Sequence, residues 1–231
     1  MKKNYIVSKA NKLITSKYEL SLQEQRVILA LVSMIDSKNQ TQFYEYEMTS
    51  SEFAELLNVQ NTNHTYLAKI TKQLMSKVVE IKDEKRVIQV HWLSSCIYYK
   101  GQGKVKLELH RELMPYLLQL KEQFTTYYLS NVLQMKSKYS IRLYELLKAN
   151  QFKKHFELSP DDLRKMLNAE KYDRYSNFNQ KVLDLSIKEI NKKADIVVVY
   201  KGKKIGNKVV SIIFDIIAKS KLEQELYGEI E

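Results

Sequence analysis

Sixteen tyrosines, four histidines and one cysteine are the residues from which this chain could build a nucleophile or a metal site. A tyrosine that cleaves DNA works beside a metal held by closely spaced histidines. His64, His91, His110 and His155 stand apart, with no His-x-His pair among them. Cys96 is the only cysteine, which excludes a paired-cysteine zinc site and an internal disulfide framework. Its neighbours Ser94, Ser95 and Ile97 read as the interior of a strand, so Cys96 is expected to be a structural thiol. The five glycines include no G-x-x-x-x-G-K-S/T run, which removes a P-loop ATPase. Arg142-Leu-Tyr-Glu145 reads as helix packing, with Arg142 and Glu145 an i,i+3 pair. No catalytic residue, metal or cofactor is therefore expected; these residues describe a binding protein.

A second set of residues is spaced for gripping a polyanion. Between Ser176 and Asn191, Phe178, Val182, Leu183, Ser186 and Ile190 share one arc of a helix. The opposite stripe is Asn177, Lys181, Asp184, Lys188 and Asn191, with Arg174, Tyr175 and Ser176 crowded at the N-terminal end, where helix amides can also take a phosphate. The β-rich run Ile196–Tyr200 follows, then Lys201-Gly-Lys-Lys204 and Gly206-Asn-Lys208, then a second β-rich run, Val209–Ile217. Helix, strand, Lys/Gly tip, strand is the order of a winged helix, whose helix enters the major groove while the wing follows the backbone. Asn177 suits adenine, and Arg174 or Lys181 suits guanine or a phosphate. Lys201, Lys203, Lys204 and Lys208 are placed for phosphate, which positions without specifying. Lys188 lies late on the helix, where the groove curves away. Asp184 either accepts from a cytosine or pairs with Lys181 or Lys188. A solvated amphipathic helix beside a lysine-rich turn would show the same local pattern.

The whole chain weighs against that plainer account. Its net charge is +11 with a pI near 9.4, which points to nucleic acid first and an anionic membrane second. Residues 1–120 carry 17 Lys/Arg against 12 Asp/Glu, and the remainder 21 against 15, so both halves are basic. With 44% hydrophobic and 28% charged residues the chain is a folding one, and 231 residues suffice for two cores. A basic N-terminus without an apolar run, no apolar stretch long enough to span a bilayer, and a single cysteine together predict a cytoplasmic protein without a membrane partner.

Those residues need elements to hold them. Ser21 with Glu24 forms a capping box at the start of a helix that buries Leu22, Val27, Ile28, Leu31, Val32 and Ile35. A strand is predicted at Gln42–Met48, a short helix capped by Thr49 or Ser50, and a helix at His64–Lys77 with Thr65, Lys69, Lys72 and Ser76 along its polar stripe. That stripe is as consistent with solvent as with DNA. Strands at Val78–Lys82, Arg86–Tyr99 and Lys104–Leu109 follow, with turns at Lys82–Lys85 and Gly101–Gly103; the long Arg86–Tyr99 run is either core or an edge for self-pairing. Arg111–Phe124 reads as helix interrupted by Pro115. A long helix from Ser130 to Gln151, a strand at Phe156–Leu158, and a helix capped by Ser159-Pro160 through Leu167 complete the prediction.

Met48–Asn58 aligns without a gap on Leu158–Asn168, an offset of 110 residues, and the same element order flanks both. The fold expected is therefore α+β, two tandem winged-helix domains related by internal duplication, at residues 1–124 and 125–231.

The chain resembles the initiator Rep proteins of iteron-containing bacterial plasmids. The resemblance is carried by Leu20-Ser-Leu-Gln-Glu-Gln-Arg26, by Ser137-Lys-Tyr-Ser-Ile-Arg-Leu-Tyr-Glu-Leu-Leu147, and by Phe178, Val182-Leu183 and Lys188-Glu-Ile-Asn191 ahead of the hairpin; it covers about Val7 to Ala218. It implies a replication initiator whose second domain binds the direct repeats of the origin. The first domain would be a dimer interface and, in monomers, a second DNA contact. Double-stranded origin DNA, a second copy of the chain, and the host initiator and replicative helicase are the partners implied, with autoregulation and copy control following. A sequence-specific transcriptional regulator with the same fold is the alternative.

Overall fold

The computed structural model describes residues 5–82 and 85–220, so the tip of the turn expected at Lys82–Lys85 lies outside the described residues. The chain forms two compact units, Met1–Leu133 and Gln134–Glu231. In chain order the first contains β1 (Ile6–Ala10), α1 (Asn11–Ile14), β2 (Lys17–Tyr18), α2 (Leu22–Ser33), β3 (Tyr46–Thr49), α3 (Ser50–Leu56), α4 (His64–Met75), β4 (Val78–Lys82), β5 (Val87–His91), β6 (Leu93–Tyr99), β7 (Lys104–Leu109), α5 (Met114–Leu117), β8 (Phe124–Tyr128) and α6 (Ser130–Leu133). The strands make three antiparallel sheets, ordered β1-β8, β2-β4-β5 and β3-β7-β6.

Local chemistry sets the helix starts. The Ser21 hydroxyl accepts from the Glu24 amide at 3.3 Å while the Glu24 carboxylate accepts from the Ser21 amide at 2.7 Å, the reciprocal box that the sequence predicts. Thr49 and Glu52 repeat it at the head of α3, at 3.1 and 2.8 Å. Each such cap contributes about 1 kcal/mol. The Asn63 side chain accepts from the Thr65 amide at 2.8 Å and opens α4.

Three expectations for this unit need correction. Arg86–Tyr99 is two strands in different sheets, because Trp92 between them is drawn fully into the core and meets Tyr18 edge-on at 5.0 Å. Arg111–Phe124 keeps only a 3-10 turn at Arg111–Leu113 and the single turn α5, after which the positive φ of Gln119 and Gln123 steers the chain into β8. The division falls after Leu133 instead of after residue 124. Phe124–Tyr128 pairs with all of β1, from Ile6 opposite Tyr128 to Ala10 opposite Phe124, and so belongs to the first unit.

The second unit contains α7 (Lys138–Ala149), β9 (His155–Leu158), α8 (Pro160–Leu167), α9 (Tyr175–Phe178), a π turn (Asn179–Leu183) continuous with α10 (Asp184–Lys193), β10 (Ile196–Ile205) and β11 (Lys208–Ala218). Its sheet is antiparallel, ordered β10-β11-β9. The single helix expected from Ser130 to Gln151 is broken, and α7 starts at its own cap, Ser137, whose hydroxyl accepts from the Tyr139 amide at 3.2 Å. The Glu189 carboxylate holds the approach to that cap by accepting from the Lys136 amide at 2.9 Å and the Ser137 amide at 3.2 Å.

The predicted repeat is visible atom by atom. Asn58 and Asn168 both adopt left-handed backbone, at φ 52° and 53°, just beyond their helices. The Val59 amide donates to Ala54 O at 3.0 Å, and its equivalent Ala169 to Arg164 O at 2.8 Å, so both helices end in the same Schellman turn. A buried arginine serves each unit. Arg26 Nη1 donates to Leu57 O at 3.0 Å and Arg142 Nη2 to Met166 O at 2.9 Å, covering carbonyls that α3 and α8 leave open. Arg142 and Glu145 also approach one another, at 4.0 Å.

Candidate nucleic-acid interface

In the second unit the exposed helix owes its shape to a mismatch of period. Phe178, Val182, Ser186 and Ile190 recur every four residues and are all fully buried. A step of four overshoots a 3.6-residue turn by about 40°, so on a regular helix these side chains would drift about 120° out of line. The π turn takes up that surplus and keeps both ends facing the core, with Leu183 and Ile187 buried as well.

The same turn re-phases the outer face. Ser176, Gln180, Lys181, Asp184, Leu185, Lys188 and Lys192 are exposed. Lys181, Lys188 and the Arg174 guanidinium make no ion pair among the described residues, and Asn177 is half-buried. Asn191 leaves the stripe: its amide donates to Val198 O at 2.9 Å and its oxygen accepts from the Val198 amide at 2.8 Å, stitching helix to strand. Asp184 pairs with neither lysine. Its carboxylate accepts from the Tyr200 hydroxyl at 2.5 Å and from Asn179 Nδ2 at 3.1 Å, and the same hydroxyl also reaches Asn179 Oδ1 at 3.0 Å. Burial first, and the Asp184 carboxylate second, push the Tyr200 phenol far above its ordinary range, so it stays a donor.

The wing is longer than expected. Lys201–Lys204, read from sequence as part of the tip, lies within β10, opposite Ile213 to Val209, and the turn is only Gly206-Asn207. Gly206, at φ +57°, supplies the left-handed backbone that a two-residue hairpin turn needs. Gly202 lets helix and wing close together: a Cβ there would lie 3.1 Å from the Tyr175 hydroxyl and 3.2 Å from Val209 Cγ1. Tyr200 and Gly202 thus face the helix, and alternation sends Lys201 and Lys203 to the other face of the hairpin, where Lys203 Nζ stands 4.0 Å from Glu157. The same alternation puts Lys204 on the helix side, at a register shift where Val210 of β11 is passed over. Lys204 and Lys208 line a cleft of about 990 Å³ shared with Ser159, Arg164, Ser176 and Asn179. The four wing lysines are therefore divided between two faces.

In the first unit Thr65, Lys69 and Lys72 are exposed on α4, as predicted, and Leu67, Ile70 and Leu74 are buried beneath them. The helix is regular throughout and carries no counterpart of the π turn. His64 packs edge-on to Tyr98 at 4.3 Å, and Tyr98 shares a hydrogen bond with Thr71 at 3.1 Å. Cys96 lies beside that pair, its thiol pushed up by burial. Among the described residues, no group of three or more His, Cys, Asp or Glu is placed to hold a metal, and no helix is long and apolar enough to cross a membrane.

Helix, helix, and a hairpin wing packed on the second helix occur in each unit, so the chain is a tandem winged-helix protein. The family profile described as Initiator Replication protein, WH1, matches residues 6–148, and that described as Initiator Rep protein, WH2, matches residues 159–216. The chain belongs to this initiator replication protein family. A replication initiation protein of Escherichia coli is 32% identical over 198 residues, which are 80% of this chain and 62% of that protein. The PI protein of Escherichia coli is 30% identical over 159 residues, 61% of this chain and 50% of its own. The chain thus spans between half and two thirds of the length of these relatives. The crystal structure of Pi initiator protein in complex with iteron DNA superposes with a TM-score of 0.78 at 23% identity, over 94% of this chain and 99% of that one, and shows the same fold.

Gln180, Leu185 and Lys192 are outward-facing residues that sequence periodicity passed over. A spacing of four sustained across the buried positions was the signal that could have found them.

Proposed function

We propose that this chain is a plasmid replication initiator that binds the direct repeats of an origin and does no bond-breaking chemistry itself. The observation that carries this reading is the match of both family profiles to a chain whose second unit exposes Lys181 and Lys188 beside a lysine-bearing wing. The second unit makes the main contact, the helix lying in the major groove with Arg174, Ser176, Asn177 and Lys181 toward the bases and the wing lysines on phosphate. Thr65, Lys69 and Lys72 give the first unit a secondary contact, and that unit also carries self-association. Dimer and repeat-bound monomer then compete, which limits copy number, and binding near its own promoter lets the protein repress itself. The host initiator and helicase are recruited to the opened origin.

The test is replication in trans. A plasmid carrying the repeats and the adjacent origin segment, but lacking this gene, should be maintained only when the protein is supplied. Specific binding of the repeats without maintenance would favour the transcriptional regulator. Equal affinity for repeat and scrambled duplexes would remove both readings.

A further inference from the structure

The π turn does more than repair the buried face. Gln180 sits within it, two residues on from buried Phe178 and so almost opposite that side chain, in the first third of the helix, where helices lying in the major groove touch base edges. Gln180 is exposed, and its carboxamide makes no hydrogen bond to the described residues. The amide and carboxylate that flank it are engaged: Asn179 and Asp184 hold one another and Tyr200, and farther along the helix Asn191 holds Val198. A glutamine amide offers one donor and one acceptor side by side, which matches the N6 and N7 edge of adenine.

What keeps the turn open lies on the wing. The Tyr200 hydroxyl reaches Asn179, the first residue of the π turn, and Asp184, the residue just after it, so one phenol bridges the whole insertion from β10. The Tyr200 ring stacks on buried Phe214 at 5.9 Å, which fixes the hydroxyl relative to the sheet. The phase of Gln180 is thereby set by the wing strand and not by the helix alone.

We propose that Gln180 reads an adenine of the bound repeat, and that Tyr200 is the positioning residue that presents it by bracing the π turn. The proposal rests on the DNA-binding function above and goes further, by assigning a base class to one side chain and a source for its orientation.

The experiment measures affinity for a single cognate repeat and for a scrambled duplex of equal composition at fixed salt, with 7-deazaadenine placed at each adenine of the repeat in turn. Gln180→Ala should weaken cognate binding about tenfold or more, the range of a lost bidentate pair, and leave scrambled binding and the salt slope unchanged. One 7-deazaadenine position that harms the wild type should be silent in Q180A. Tyr200→Phe keeps the ring and removes the hydroxyl; it should lose the same discrimination at the same position while its thermal midpoint stays near that of the wild type. Equal losses on both duplexes, or a full set of deazaadenine effects in Q180A, would overturn the base contact. A lowered midpoint with discrimination intact in Y200F would reduce Tyr200 to a packing residue and overturn its positioning role. Wild-type protein that ignores the difference between duplexes would sink the initiator reading and this proposal together, whereas wild-type preference retained in Q180A sinks only this one.

Discussion

The two units share a frame and differ in what they mount on it. Capped helix and left-handed asparagine coincide between α3 and α8, and a buried arginine closes each helix, on Leu57 in the first unit and on Met166, one repeat position earlier, in the second. Past that point they diverge. The first unit continues into a twelve-residue regular helix and, in the sheet that holds β3, hairpin strands of seven and six residues, the second into a π-interrupted helix and strands of ten and eleven. The difference shows which parts of the repeat tolerate change. Positions that satisfy buried backbone groups have stayed alike because each leaves a costly orphan if lost. The outward helix and the wing carry no such debt and have separated.

The largest expected effect tests the shared frame. Arg26→Met should destabilise the protein by about 3 kcal/mol, because two buried carbonyls, those of Leu57 and Leu133, lose a charged donor. Arg142→Met should cost about 2 kcal/mol for the carbonyl of Met166. Denaturant titration of both variants checks the pair, and a near-zero cost in either would break the equivalence.

Next comes the mounted surface. Lys181→Ala should weaken repeat binding by about 1–3 kcal/mol, while Lys69→Ala with Lys72→Ala should cost less and act alike on any sequence. If the first-unit double variant alone lost discrimination, the division of roles would be reversed. Within the wing, Lys204→Ala with Lys208→Ala should flatten the slope of log K against log salt by about 1.8, two phosphate contacts' worth. Lys201→Ala with Lys203→Ala, on the other face, should flatten it less. The smallest effect is again shared: Asn58→Ala and Asn168→Ala should each cost about 1 kcal/mol, and the glycine variants close to nothing, since both positions are left-handed. Thermal midpoints of the four variants decide it.

Much of the frame was legible because it is written in local chemistry. Ser21 with Glu24, Thr49 with Glu52, and Ser159 before Pro160 announce their helices through hydrogen bonds spanning three residues, and the gapless match of Met48–Asn58 to Leu158–Asn168 revealed the repeat. What escaped depends on distant partners. Lys201-Gly-Lys-Lys204 has poor strand propensity, and only pairing with Val209–Ile213 makes it β-structure. Nothing within Arg86–Tyr99 says that Trp92 will turn inward against Tyr18, seventy-four residues earlier. The outward stripe was drawn on an ideal wheel, which puts exposed Leu185 beside buried Phe178; Asn191 was counted as free because its partner Val198 lies in another element, as does Tyr200, which braces the turn.

Trp92 has one more consequence, a spectroscopic one. It is the only tryptophan in the chain, its ring is sealed in the first unit, and its indole nitrogen has no hydrogen-bond partner among the described residues. Excited selectively, it should emit at the blue end of its range and shift to the red when the first unit opens. The sixteen tyrosines span both units, so tyrosine signals average over the molecule while indole emission isolates one half. The chain therefore carries a built-in reporter with which the order of unfolding of its two units can be followed without a label.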